Sequence, residues 1–155
     1  METTKLDSEE LKATVSKLIT SGRTDQALKQ LSGSKVNSPW VQNAIAVCQI
    51  RLGNVGKAVD IYRQLIVSGV KILPETPTVY KVNFALALLL SGNYNGFSST
   101  LMEVDAKEHV GKTELLAFAR TWQSKFTFLQ SVLFWSLGII PKIPVDAGTS
   151  PGYLE

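Results

Sequence analysis

The sequence has almost no residues suited to disulfide or metal chemistry. Its 155 residues include one cysteine, Cys48, and one histidine, His109. A single cysteine excludes an intrachain disulfide, and a single histidine excludes multi-histidine metal sites and most nucleophile–base pairs. Cys48 stands among apolar residues in a helical pattern, where a buried and inert thiol is expected. We therefore expect no catalytic residue, no metal and no cofactor, and the sequence predicts a protein that is not an enzyme.

Charge of either sign is sparse. Charged residues make up 19% of the chain, with 16 Lys+Arg against 13 Asp+Glu and a net charge of +3. A nucleic-acid-binding face needs basic residues clustered on one surface. Lys107 and Lys112 instead alternate with Glu103, Asp105 and Glu108. This distribution indicates a charge-mixed exterior, and nucleic acid is not an expected partner.

Long hydrophobic runs are also missing. Residues 1–7 lack the apolar core of a secretory signal, so the cytoplasm is the expected compartment. The uncharged stretch Phe126–Pro141 would span about 24 Å as a helix, against about 30 Å of bilayer hydrocarbon. Gly138 and Pro141 shorten its helical part further. A buried helix is favoured, and an anchor lying at a membrane surface is the alternative.

The chain does contain amphipathic helical patterns. Hydrophobic residues form 45% of it and recur at helical spacing, whereas no alternation is long enough to predict a sheet. Ser38-Pro39 and Thr76-Pro77 each place a hydroxyl at a helix N-cap and a proline at the first helical position. Asp7, with Glu10 three residues later, predicts a capped helix start. The expected fold class is all-α.

Three glycines, Gly22, Gly53 and Gly92, each end one helical pattern and precede another. Positions at fixed distances from each glycine carry apolar side chains: Val15, Ala46 and Ala85 at −7; Ala27, Ala58 and Phe97 at +5; Leu31, Tyr62 and Leu101 at +9. A helix–turn–helix unit is therefore used three times, with intervals in the thirties. Such a period predicts antiparallel helix pairs stacked as a solenoid.

The middle unit, Asn43–Tyr62, resembles the tetratricopeptide repeat. It has the small residue Ala46 in its first helix, the turn Gly53-Asn54-Val55, and then Ala58 and Tyr62. The third unit has the turn Gly92-Asn93-Tyr94 but carries Phe97 where the family has a small residue. Phe97 must push its helix pair apart or turn outward. The resemblance implies a short right-handed solenoid that acts as a scaffold or adaptor for protein–protein interaction.

The expected organisation is one TPR-like domain followed by a tail. The domain covers residues 1–137, with repeats at about 8–34, 38–69 and 77–104. Val70–Glu75 is interpreted as a linker within it. One long helix, Thr113–Leu137, is expected to cap the exposed end of the last repeat. The apolar surface of Val132–Leu137 then exceeds what capping needs, and should meet the tail, a second copy or a membrane.

The tail covers residues 138–155 and contains several prolines, which favour extended backbone. For Ile139–Val145 the expectation is packing against the protein's own helices, and the alternative is docking into a neighbour's groove. Asp146–Glu155 is expected to be a loop or a disordered end.

In the tetratricopeptide family the first helix of each repeat lines a concave surface. The family's clamp for a peptide carboxylate is not expected here, because Ser16, Ala44, Val82 and Leu86 occupy positions where it has asparagine or basic residues, although Lys12 fits. The concave face is apolar, with Asn43, Asn83 and Arg51 able to orient a backbone. Trp40 is either an anchor for a partner or a hydrophobic staple. The predicted partner-binding residues are Trp40, Asn43, Val47, Arg51, Asn83, Leu86 and Leu90.

These observations favour a non-catalytic adaptor that binds a protein or peptide partner, or a second copy of itself, through an apolar concave groove. The alternative is a membrane-associated assembly factor anchored by the apolar C-terminal helix. A small ligand-binding helical protein is a third class, and it would need a polar pocket that the sequence does not display.

Overall fold

A computed structural model describes residues 2–105, 107, 110–141 and 152–154, with side chains from Ser8 onward. His109 lies outside these residues. The described part contains a two-stranded hairpin, β1 (Val67–Ser68) and β2 (Lys71–Ile72), and these helices: α1 (Glu2–Thr20), α2 (Thr24–Gly33), α3 (Pro39–Arg51), α4 (Val55–Ile66), α5 (Thr78–Leu90), α6 (Tyr94–Met102), α7 (Gly111–Gln123) and α8 (Phe128–Leu137). The predicted all-α class is confirmed.

The helices from α1 to α6 pack in sequence, each against the next, and α7 packs against α5. The three predicted turns have one geometry. Gly22, Gly53 and Gly92 have φ of 76°, 79° and 80°, the left-handed region that favours glycine. In each turn the glycine N–H donates to the carbonyl of the residue three positions earlier. The N–H of the residue after the glycine donates to the carbonyl five positions earlier, and all N···O distances are 2.8–3.1 Å. These are the two hydrogen bonds of a Schellman motif, which ends one helix and redirects the chain into the next.

The repeated apolar positions are all buried: Val15, Ala27, Leu31, Ala46, Ala58, Tyr62, Ala85, Phe97 and Leu101. Phe97 is among them, so the outward orientation considered for it is wrong. Its ring lies 5.6 Å from that of Tyr94, centroid to centroid. Phe97 therefore belongs to the core of the third helix pair.

The buried side chains form two clusters. The first cluster joins α1, α2 and one side of α3, with Val15, Leu31 and Cys48 among its members. The central cluster joins α3 through α7 and includes Tyr62, Phe97 and Trp122. Because α3 contributes to both clusters, it connects the N-terminal helix pair with the rest of the fold.

Two predicted helix starts are displaced. α1 begins at Glu2, so Asp7 lies inside it and is not an N-cap. α5 begins at Thr78 with Pro77 in the cap position, one residue later than Thr76-Pro77 predicted. The Ser38 cap is confirmed, because the Ser38 side chain accepts a hydrogen bond from the Val41 amide at 3.3 Å.

The segment Val70–Glu75, interpreted as a linker within the domain, lies between α4 and α5 and is partly regular in structure. Its first residues belong to an antiparallel hairpin in which Val67 pairs with Ile72 and Ser68 with Lys71. Gly69 supplies the turn with φ of 63°. Two-residue strands are too short to produce an alternating pattern, which is why the sequence did not predict them.

The prediction of a single helix over Thr113–Leu137 is wrong, because α7 ends at Gln123 and a second helix, α8, begins at Phe128. Thr127 and Gln130 form a capping box at the new start: the Gln130 amide donates to Thr127 Oγ1 at 3.3 Å, and the Thr127 amide donates to Gln130 Oε1 at 2.9 Å. Thr127 is thus a helix N-cap that the apolar spacing concealed.

The break lets α8 reach the aromatic residues of α6 and α7. Phe134 is the buried residue of α8 and lies edge-on to Tyr94, with ring centroids 4.9 Å apart. Several apolar side chains of the helix are exposed, with Phe128 87% and Trp135 72% exposed. Among the described residues, every helix falls short of the length and apolarity needed to cross a bilayer.

Candidate peptide-binding groove

Two fully buried asparagines face each other between the first helices of the second and third pairs. Asn43 lies on α3 and Asn83 on α5, and both are 0% exposed. Asn83 Nδ2 donates to Asn43 Oδ1 at 2.9 Å, and the Tyr62 hydroxyl donates to the same oxygen at 2.8 Å. Burial raises the pKa of Tyr62, so this hydroxyl stays protonated and donates at neutral pH. The network fixes the orientation of both amides.

Tyr153, near the end of the chain, pairs its backbone with these asparagines. The Tyr153 amide donates to Asn83 Oδ1 at 2.8 Å, and Asn83 Nδ2 donates to the Tyr153 carbonyl at 2.6 Å. Asn43 Nδ2 donates to the same carbonyl at 3.4 Å. One side-chain amide thus satisfies both backbone groups of a single residue. This recognition depends on the polypeptide backbone and not on the side chain that it carries.

Gly152, the residue before Tyr153, lies close to α3. Its carbonyl accepts a hydrogen bond from Arg51 Nη2 at 3.4 Å. Arg51 Nη1 also donates to the Ile19 carbonyl at 3.4 Å, which holds the guanidinium between α1 and the segment. Burial lowers the pKa of Arg51 from its usual value. A Cβ atom added to Gly152 would lie 3.1 Å from Val47 Cγ1, so the backbone approaches α3 closely.

The side chains of residues 153 and 154 pack against different clusters. Tyr153 packs against the central cluster, and its hydroxyl donates to Glu114 Oε2 on α7. Leu154 packs against the first cluster. The three residues therefore connect α1–α3 on one side with α5 and α7 on the other.

The structure brings four of the predicted partner-binding residues together around this segment: Asn43, Val47, Arg51 and Asn83. Leu86 is buried in the central cluster and Leu90 is half-buried against it, so both serve the core. Trp40 is half-buried against the first cluster, with Lys12 Nζ 5.8 Å from the centre of its ring. Its indole N–H is buried and has no hydrogen-bond acceptor among the described residues.

The sequence missed the occupant of the groove. Residues 146–155 were expected to be a loop or a disordered end, but Gly152–Leu154 is seated on the helices. An aromatic and a leucine at the end of a stretch rich in glycine, serine and proline were the available signal. Of Ile139–Val145, Ile140 packs against the central cluster and Ile139 is half exposed, in agreement with packing on the same chain. Lys142–Val145 lies outside the described residues.

A cysteine, Cys48, also lies on α3 near these residues. Cys48 is buried, and burial raises the pKa of its thiol to about 11, so it is protonated at neutral pH. The described residues include no group of three His, Cys, Asp or Glu side chains placed to hold a metal ion. The polar side chains that the structure brings together here form hydrogen bonds with the backbone of Gly152 and Tyr153.

Comparisons of this chain with protein-family models, with curated proteins and with solved structures found no match.

Proposed function

We propose that this protein is a non-catalytic, TPR-like adaptor that binds an extended segment of a protein partner in the groove between α3 and α5. In this proposal the three helix pairs stack as a short right-handed solenoid, and their first helices form its concave face. The like geometry of the three turns supports the stacking. Backbone recognition by a buried asparagine suits a scaffold, since it holds a peptide without acting on it.

The observation that carries the proposal is the two-point pairing of Asn83 with the backbone of Tyr153, at 2.6 and 2.8 Å. A buried amide without a hydrogen-bond partner is costly, so the groove favours occupation by a backbone that offers both a donor and an acceptor. Asn43 and Arg51 add donors for neighbouring carbonyls. Together they define a site for an extended chain rather than for a helix, whose backbone groups are already paired.

The test is to select binding peptides from a displayed random library, using a variant of the protein in which residues 152–154 no longer occupy the groove. Gly152→Val is this variant, because valine at φ of 91° is strained and its Cβ would press on Val47. We expect this chain to enrich a defined set of peptides. Asn83→Leu, added to it, keeps the side-chain volume but removes both backbone hydrogen bonds, and should abolish enrichment.

The matched control is Asn95→Leu in the same background, since Asn95 is an exposed asparagine on α6. It should enrich the same peptides as the parent. Circular dichroism checks that all three chains retain their helicity. If no peptide is enriched, or if the Asn83→Leu chain enriches the same set, the adaptor proposal is wrong.

A membrane-surface role is the second candidate, and the exposed face of α8 favours it. Phe128, Leu129 and Trp135 are mostly exposed, and the helix carries no charged residue. Aromatic and aliphatic side chains of this kind insert into the interfacial region of a bilayer. Flotation with liposomes is the measurement: binding that Phe128→Ser and Trp135→Ser together remove would support an interfacial anchor. A chain that stays at the bottom of the gradient would exclude it.

A further inference from the structure

We propose that Gly152–Leu154 is a resident ligand that occupies the groove until a partner displaces it, and that the partner segment repeats its chemistry: glycine, then tyrosine, then leucine. This inference rests on the proposed adaptor function and adds both the regulation and the specificity of the same site.

The glycine is required by the geometry of the groove. Gly152 has φ of 91°, a region that L side chains rarely adopt. Any Cβ at this position would also meet Val47 Cγ1 at 3.1 Å and Cγ2 at 3.2 Å. Val47 is fully buried on α3 and has little room to yield. A displacing segment must therefore carry glycine where its carbonyl reaches Arg51.

The tyrosine and the leucine are read by their side chains. The phenol of Tyr153 reaches across the groove to Glu114 on α7, while its ring packs on the central cluster. Leu154 contacts the first cluster, which also contains Trp40 and Leu28 at its edge. The backbone bonds to Asn83 hold any residue at the middle position, and the phenol hydrogen bond selects tyrosine there.

The resident segment is held in a way that allows exchange. All three residues are half-buried, so they lie at the surface of the groove rather than under other elements. Their departure would leave the buried amides of Asn43 and Asn83 short of partners, and an incoming backbone would restore the same hydrogen bonds. Removal of the segment alone is thus unfavourable, whereas its replacement by a like segment is close to neutral.

Tethering makes the resident segment an effective competitor. A ligand on the same chain acts at an effective concentration on the order of millimolar. A free peptide displaces it only at a higher concentration or with a higher affinity for the groove. The intact chain should therefore bind outside peptides weakly. A change that releases residues 152–154 should open the groove.

The experiment measures the fluorescence anisotropy of a labelled peptide with the sequence of residues 149–155, titrated with full-length chains. We expect Gly152→Val to bind this peptide at least about tenfold more tightly than the wild type. The control is Gly56→Val, which changes an exposed glycine near the start of α4 where an added Cβ meets nothing. It should bind the peptide as weakly as the wild type does.

Competition with unlabelled peptides then tests the specificity. The parent peptide should displace the label, and a peptide with valine in place of its glycine should not. Equal displacement by both would overturn the requirement for glycine. Equal affinity of the wild type and Gly152→Val for the label would overturn the resident ligand. A wild-type dimer that Gly152→Val converts to a monomer would overturn it too, because the segment would then join two copies.

The outcome also separates this inference from the function on which it rests. If the Gly152→Val chain enriches library peptides but does not bind the 149–155 peptide, the resident ligand is wrong and the adaptor stands. If it binds neither, both are wrong.

Discussion

At the scale of single residues, burial decides the state of the ionisable groups in this fold. Cys48 is fully enclosed on α3, and burial raises the pKa of its thiol from 9.0 to about 11. Tyr62, on the neighbouring helix, has its pKa raised for the same reason. Both groups are neutral in the folded protein at pH values where the unfolded chain begins to ionise. Each therefore makes the free energy of unfolding sensitive to alkaline pH.

The sign follows from proton binding. Between pH 9 and about 11 the folded state keeps the Cys48 proton while the unfolded state loses it, so the free energy of unfolding falls as pH rises. At about pH 10.5 the thiol accounts for a loss of about 2 kcal/mol relative to pH 8. Urea denaturation at pH 8 and at about pH 10.5 measures this loss in the free energy of unfolding. We expect the loss to be about 2 kcal/mol smaller in Cys48→Ala than in the wild type.

The comparison is between pH values within one variant, so the cavity that alanine leaves affects both measurements alike. The Tyr62 contribution is present in the wild type and in Cys48→Ala and cancels between them. An identical alkaline loss in the two chains would show that the thiol does not titrate differently on unfolding.

The residues of the groove were predictable only where they depend on local register. Asn43, Val47, Arg51 and Asn83 follow from their place on the first helices, once the turn glycines set the register. The occupant does not follow, because Tyr153 is 70 residues from Asn83 along the chain and no periodicity links them. Glu114 was missed for the same reason: its role depends on where α7 packs, and an exposed glutamate on a helix carries no signal of it.

At the scale of elements, the sequence predicted turns better than helix lengths. The glycines at 22, 53 and 92 mark turns because the left-handed backbone there needs glycine, a requirement that a single position carries. Helix ends without such a requirement were misplaced, at Asp7 and at Thr127. In the C-terminal segment the apolar spacing continued through the break, since Trp122, Phe126 and Phe134 all pack into one aromatic group. Spacing alone could not show that the helix is interrupted between Gln123 and Phe128.

The Thr127 cap gives a test of how α8 is held. Thr127→Ala removes the hydroxyl that accepts the Gln130 amide, and loss of such a cap costs about 1 kcal/mol. We expect the free energy of unfolding in urea to fall by that amount if α8 unfolds with the rest of the chain. Thr121→Ala is the matched control, because Thr121 is exposed on α7 and its hydroxyl bonds only to the Ala117 carbonyl one turn back. Equal stabilities of the two variants would mean that α8 contributes nothing to the cooperative unit.

At the scale of the whole molecule, most packing between helices joins helices that are consecutive in the sequence. Each helix from α1 to α6 packs on the next, and the first and central clusters share only α3. The exceptions include the contacts of α3 with α5 and of α5 with α7, and the segment 152–154, which contacts both clusters and α7. An array in which contacts are mostly between neighbours distributes its stability along its length, and damage to one end stays local. A bundle with one shared core would lose stability everywhere at once.

The Leu31→Ala variant distinguishes a stacked array from a bundle with one shared core. Leu31 is buried in the first cluster, and its truncation should cost about 2–5 kcal/mol. In a stacked array the cost falls on α1 and α2, so hydrogen exchange of their amides should accelerate by a factor of at least about 30, while amides of α5 and α6 keep their protection. Leu101→Ala, in the third pair, should give the reverse pattern. Uniform acceleration in both variants would show a single cooperative core and would contradict the solenoid proposed here.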